Sequence, residues 1–147
     1  ASDVYKRQIG KDICMSSLSA FLNPIKAENR KVCVSDRFQE NGKTVPFVIR
    51  PIGQDENEQI IRKHTKKDKK GVEYFDRVAY NQELVAAAVV EPDLKSDELQ
   101  KAYGVIGEAK LLTKMLYIGE YAELMQEVQE LSGLDKDIND DIEEAKN

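Results

Sequence analysis

Apolar positions along this chain change their spacing twice, and each change marks a different kind of element. Near the start, Ser16 or Ser17 offers a hydroxyl cap ahead of Leu18, Phe21 and Leu22 at helical spacing, and Pro24 ends the run, so a short helix is expected. The period then drops to two. Val32, Val34 and Phe38 precede Asn41-Gly42, and Val45, Phe47 and Ile49 follow it. Asn-Gly is favoured in two-residue hairpin turns because both central positions need positive φ. With such a loop Phe38 faces Val45 and Val34 faces Ile49, which puts all six apolar side chains on one sheet face. Pro46 has no N–H to donate, so it predicts an edge or a bulge in the second strand. A lone hairpin is not stable in water, and this one requires helices on its apolar face.

From Gln54 onward the spacing is helical again. Asp55, Glu56 and Glu58 head a helix with Ile60 and Ile61 as its apolar contacts, and Lys63 through Gly71 predicts an exposed, mobile connection. A helix over residues 76–90 carries Val78, Leu84, Val85, Ala88 and Val89 and must end before Pro92, because the residue preceding proline avoids the α region. Ser96 caps a short helix that Gly104 closes. Leu111, Leu112, Met115 and Leu116 mark another before Gly119. The last helix is the most regular, with Tyr121, Leu124, Met125, Val128 and Leu131 at three and four residues. Gly133 is placed for a left-handed cap, which Leu134 can close with an apolar contact. The expected fold class is α+β, mainly helical, with an N-terminal β-hairpin packed on a bundle of about four to five short helices.

Three stretches divide the chain. Residues 1–14 read as a non-native leader, since they lack an amphipathic pattern, resemble a translated adapter string, and precede Met15 as a natural start. Residues 15–134 form the domain. Residues 135–147 are acidic and poor in apolar side chains, so a flexible tail is expected.

Composition narrows the function. A chain of 147 residues with 41% hydrophobic and 33% charged side chains has enough apolar material for one core. Its 27 acidic against 22 basic residues leave a net charge of −5, which argues against nucleic-acid binding. No apolar run has the length of a membrane span. Cys14 and Cys33 have no paired spacing, so reduced thiols in a cytoplasm fit best.

Candidate chemistry fails on residue type or spacing. Gly42-Lys43-Thr44 is similar to the end of a phosphate-binding loop, but Arg37 stands where the earlier glycine belongs and no helix follows. His64 stands among lysines, where base catalysis would need an orienting acid and a pocket, and a solvated histidine is the expectation. Asp135 opens a segment like a calcium loop, yet Asp140 replaces its glycine and Lys146 its glutamate. The lysine run from Lys63 to Lys70 lacks the interleaved aromatics of a nucleic-acid platform. No catalytic residue, cofactor or metal site is expected.

A partner-binding role fits better. The stripe of Tyr121, Leu124, Met125 and Val128 is core spacing first and a contact surface second. Met115, Met125 and the nearby tyrosines, Tyr103 among them, are adaptable side chains of the kind that accept varied apolar segments, and Phe47 and Ile49 complete the candidate surface.

An ordered set of motifs carries a family likeness. Val90-Glu91-Pro92-Asp93-Leu94-Lys95-Ser96-Asp97-Glu98-Leu99-Gln100, followed by Tyr103-Gly104-Val105, resembles the XkdN-like phage tail assembly chaperones. The likeness extends before it to residues 32–37, to residues 47–52, and to Glu58 with Ile61-Arg62. After it come Lys114-Met115-Leu116, Gly119-Glu120-Tyr121 and residues 128–133. Two positions depart from the family: Ile118 where proline is usual, and Gly53-Gln54 where a threonine cap is usual. The resemblance implies a protein that binds the tape measure protein, keeps it soluble, and recruits tail tube protein around it in the host cytoplasm, without entering the finished virion. It implies no cofactor. Ala145-Lys146-Asn147 can be encoded by a slippery heptamer, which raises a frameshifted longer form as an expectation. The alternative reading is a minor structural tail or adapter protein retained in the virion.

Overall fold

The computed structural model describes residues 17–134. A helix, α1, covers residues 17–22. Strand β1 (Arg30–Val32) leads to the tip strands β2 (Gln39–Glu40) and β3 (Lys43–Thr44), then to β4 (Phe47–Ile49). Helix α2 (Gln54–Lys63) precedes a second strand pair, β5 (Thr65–Lys67) and β6 (Glu73–Phe75). Next come α3 (Arg77–Ala88), strand β7 (Val89–Glu91), α4 (Asp97–Ala102), α5 (Glu108–Met115) and α6 (Ile118–Leu131). The α+β architecture is the one expected, with the N-terminal strands laid on a bundle of short helices.

The Asn41-Gly42 turn forms as its sequence dictates, with φ of 53° and 77°. Gln39 pairs with Thr44, and the Val45 N–H donates to the Phe38 carbonyl at 2.7 Å. Beyond this tip the expected register is corrected. Val34 does not face Ile49: Arg30 does, and Val32 lies opposite Phe47. Residues 33–38 lie opposite residues 45 and 46 alone, so the hairpin is split by a wide bulge. Pro46 withholds a ladder donor there, and the facing strand turns at residues 36 and 37. Val45 accordingly leaves the core face and is 44% exposed, while Val32, Val34, Phe47 and Ile49 are buried.

A third strand completes the main sheet in the order β1-β4-β7. The helix expected over 76–90 therefore ends at Ala88. Val89 and Val90 are β-branched and suit a pleated ladder, Val89 pairs with Ile49, and the Arg50 N–H donates to the Ala88 carbonyl at 2.8 Å. The Glu91–Pro92 peptide bond is cis.

The lysine-rich connection is also corrected. It is the antiparallel β5–β6 pair, with Thr65 opposite Phe75 and all six strand residues exposed. Its turn is set by Asp68, whose carboxylate accepts the Lys70 and Val72 N–H groups at 2.8 and 2.9 Å.

Helix α3 is the centre of the bundle, packing on α2, α5 and α6. Its Val85 and Ala88 meet Ile49, Leu111, Leu112, Leu124 and Val128 in one core. Helix α6 ends as predicted. Gly133 adopts φ 80°, its N–H donates to the Glu130 carbonyl at 3.0 Å, and the Leu134 N–H donates to Gln129 at 2.9 Å. The expectations for the leader, the Asp135 segment and the acidic tail lie outside the described residues.

Candidate partner-binding surface

Two apolar grooves open on this frame. The first, of about 410 Å³, lies between the hairpin, the turn after β7, and helices α4 and α5. Phe38 stands edge-on to Phe47 with ring centroids 5.6 Å apart, and Val45 and Pro46 form the outer wall. Pro92, Leu99, Tyr103 and Met115 supply the rest.

Beside this groove, Arg37 ties the hairpin to the end of α5 and the start of α6. Its guanidinium donates to both Glu120 carboxylate oxygens, through Nε at 3.0 Å, and to the Met115 carbonyl at 3.0 Å. It also lies over the Tyr117 ring, 4.1 Å from the centroid. Glu120 is engaged twice, because its Oε1 accepts the Tyr117 N–H at 2.7 Å and so caps α6. The Arg37 hydrogen bonds, joined by Ser35 and the Tyr117 N–H, hold the Glu120 carboxyl down at about 2. Arg30 with Glu127 at 2.9 Å and Arg50 with Glu56 at 2.6 Å fasten the same sheet to α6 and α2.

The motif that carried the family likeness builds the groove's floor. Leu94 is buried, and the Asp93 carboxylate accepts the Lys95 N–H at 3.1 Å in the turn from β7 to α4. Ser96 caps α4 through the Leu99 N–H at 3.3 Å, and Gly104 ends it at φ 66°. Gln100 ties the flanking loops together, donating to the Leu94 carbonyl at 2.8 Å and accepting the Gly107 N–H at 3.1 Å. Gly119 sits in the first turn of α6 with open space where a Cβ would stand.

The second groove, of about 620 Å³, lies between α3, the end of α5, and α6. Tyr121, Met125 and Leu116 form its base, with Val78 and Ile118 on its rim. Burial pushes the Tyr121 phenol up to about 12, and its hydroxyl has no hydrogen-bond partner among the described residues. The expected surface residues thus divide between the grooves: Phe47, Tyr103 and Met115 in the first, Tyr121 and Met125 in the second. Ile49, Leu124 and Val128 are buried in the core beneath them. Sequence reasoning pairs Phe38 with Val45 without marking it as a surface residue, and the part Arg37 plays beside the groove escapes it because the partners of Arg37 lie on α5 and α6.

His64 is not solvated as expected. The Asp76 N–H donates to its carbonyl at 2.9 Å, folding the chain back over it, and its side chain is 14% exposed with Nε2 against the Glu83 carboxylate. Lys63 Nζ donates to the same carboxylate at 2.7 Å. Burial pushes the Glu83 carboxyl up, but hydrogen bonds from Lys63 and His64 outweigh it and the net shift is downward. The pair adjoins a cavity of about 690 Å³ lined by both charged and apolar side chains. His64 Nε2 is engaged by Glu83, and Nδ1 is buried without a hydrogen-bond partner among the described residues. Among the described residues no cluster of His, Cys, Asp or Glu is placed to hold a metal ion, and no helix is long and apolar enough to cross a membrane.

Comparison with known proteins follows the same outline. The family model described as phage XkdN-like tail assembly chaperone protein matches residues 18–146. The phage-like element PBSX protein XkdN of Bacillus subtilis strain 168 is 30% identical over 129 residues, covering 84% of this chain and 87% of that protein. The uncharacterized protein YqbN of the same strain shows the same identity and coverage. A crystal structure of the protein YqbN aligns with a TM-score of 0.67 at 26% identity, covering 79% of this chain and 96% of that one.

Proposed function

The chain belongs to the phage XkdN-like tail assembly chaperone family, and on that premise we propose that it binds the tape measure protein through the first groove. In this reading an apolar helical segment of the tape measure lies across Phe38, Val45, Phe47, Tyr103 and Met115. Binding keeps that protein soluble in the host cytoplasm until tail tube subunits are recruited around it, and the chaperone leaves before the virion is complete. It acts by contact alone, without catalysis.

One observation carries the reading. The first groove is lined mainly by apolar side chains, with adaptable Tyr103 and Met115 among them, and the Arg37–Glu120 pair fastens the hairpin to α5 and α6 beside it. Co-expression with the tape measure gene of the same phage tests it. The wild-type chain keeps the tape measure protein in the soluble fraction, and Val45→Asp, at an exposed rim position, sharply reduces that fraction. A tape measure protein that stays insoluble beside the wild-type chain would defeat the proposal. Mass spectrometry of purified virions checks the departure step, and a stoichiometric amount of this chain there favours the structural tail protein instead.

A further inference from the structure

Helix α1 is an apolar element that lies largely exposed among the described residues. Leu18, Phe21 and Leu22 are 63%, 82% and 69% exposed, and Ile25 just beyond is fully exposed. Its described part is residues 17–22, and an apolar helix face left in water without tertiary packing gains little stability. It needs a surface to lie on.

The second groove is the complementary vacancy. In a chain that is 33% charged, α1 reads Ser-Leu-Ser-Ala-Phe-Leu and carries no charge, and the second groove is lined by no charged residue either. The other large openings do not match: the cavity beside His64 is lined by several lysines and acids, and the first groove includes Glu91. Val78 and Ile118 on the second groove's rim are 67% and 92% exposed, so they remain free to contact a helix.

Position argues for a neighbour's helix over the chain's own. Strand β1 starts at Arg30, which is tied to Glu127 and Glu130. At 100° per residue these lie on a different flank of α6 from Ile118, Ala122 and Met125, which face the groove. In the structure α1 lies outside its own groove, none of whose lining residues belongs to it, and Leu18, Phe21 and Leu22 stay exposed. We propose that α1 of each chain docks in the second groove of a second copy, Phe21 and Leu22 covering Tyr121 and Met125. The two contacts are equivalent, so the exchange closes as a symmetric dimer and no further copies add. The surface is separate from the first groove, and the dimer stands or falls independently of the tape measure reading.

Analytical ultracentrifugation of the full chain over a wide concentration range tests this, with circular dichroism confirming that each variant is folded. The wild type forms a dimer. Phe21→Asp and Ile118→Asp, both at exposed positions, each weaken it about tenfold or more by placing a charge in the contact. Mixing the two variants restores association in part, because the intact groove of one accepts the intact helix of the other. A wild type that stays monomeric throughout overturns the proposal, as does a dimer that neither substitution weakens or a mixture that regains nothing. If Ile118→Asp abolishes tape measure solubilisation and leaves the dimer mass unchanged, the groove belongs to the client and the proposal fails.

Discussion

Two β-hairpins in this chain are built on similar turn chemistry and embedded in opposite ways. In the first, Asn41-Gly42 turns a ladder whose base is set into the core by Val32, Val34, Phe47 and Ile49. In the second, Asp68 and Gly71 at φ 80° close strands whose residues are all exposed, with Phe75 against the Tyr80 ring at 5.2 Å and the Thr65 hydroxyl donating to the Ile61 carbonyl at 2.8 Å among its ties to the domain. Turn residues suffice to define a hairpin. Burial decides whether that hairpin shares the stability of the whole domain or opens by itself.

The sharpest break in this contrast comes from side-chain truncation. Ile49→Ala removes a fully buried side chain from the central strand and should cost about 2–5 kcal/mol in urea unfolding. Val72→Ala in the second hairpin, 59% exposed, should stay within about 0.5 kcal/mol. Glycine substitution sharpens it further. Gly42→Ala and Gly71→Ala each force an alanine to left-handed φ, a strain of about 1–2 kcal/mol. In the first hairpin that strain should lower the global unfolding midpoint. In the second it should leave the midpoint in place and speed hydrogen exchange of the amides of residues 65–75.

The smallest effect concerns pH. The Glu120 carboxyl that clamps Arg37 falls from 4.5 to about 2 in the folded chain. A depressed carboxyl stabilises the fold above its unfolded value, so the contribution is complete at neutral pH and fades as pH drops from about 4.5 through about 2. Glu120→Gln should unfold earlier than wild type at pH 7, and the gap should close in that acid window. A gap that persists below pH 2 would trace the effect to lost packing.

How much of this could be seen in the sequence follows from where the apolar spacing is informative. The first turn, α4 with its Ser96 cap, and α6 with its Gly133 stop were all legible, because local chemistry dictates them. Register beyond the tip was not, since it depends on how Pro46 and the turn at residues 36 and 37 share the excess chain. Val89 and Val90 satisfy helix and strand patterns alike, and only the place left beside β4 made them a strand. The β5–β6 pair has no buried face, so no alternation announced it. At the surface, Tyr103, Met115, Tyr121 and Met125 were recognisable by type, but their division between two grooves is tertiary. A single arginine such as Arg37 gives no signal until Glu120 and the Met115 carbonyl stand beside it. The two departures from the family are local: Ile118 is the first residue of α6, a position proline suits, and Gly53 is the N-cap of α2.

The brevity of the main sheet has its own consequence. Its outer strands, β1 and β7, are three residues long, with Lys31 on one, Glu91 on the other and Pro92 directly after. Short, charged, proline-flanked edges are poor templates for added strands. A fold with such edges can keep helix-sized apolar grooves open at its surface and still refuse the edge-to-edge stacking that would lock copies of it into fibres.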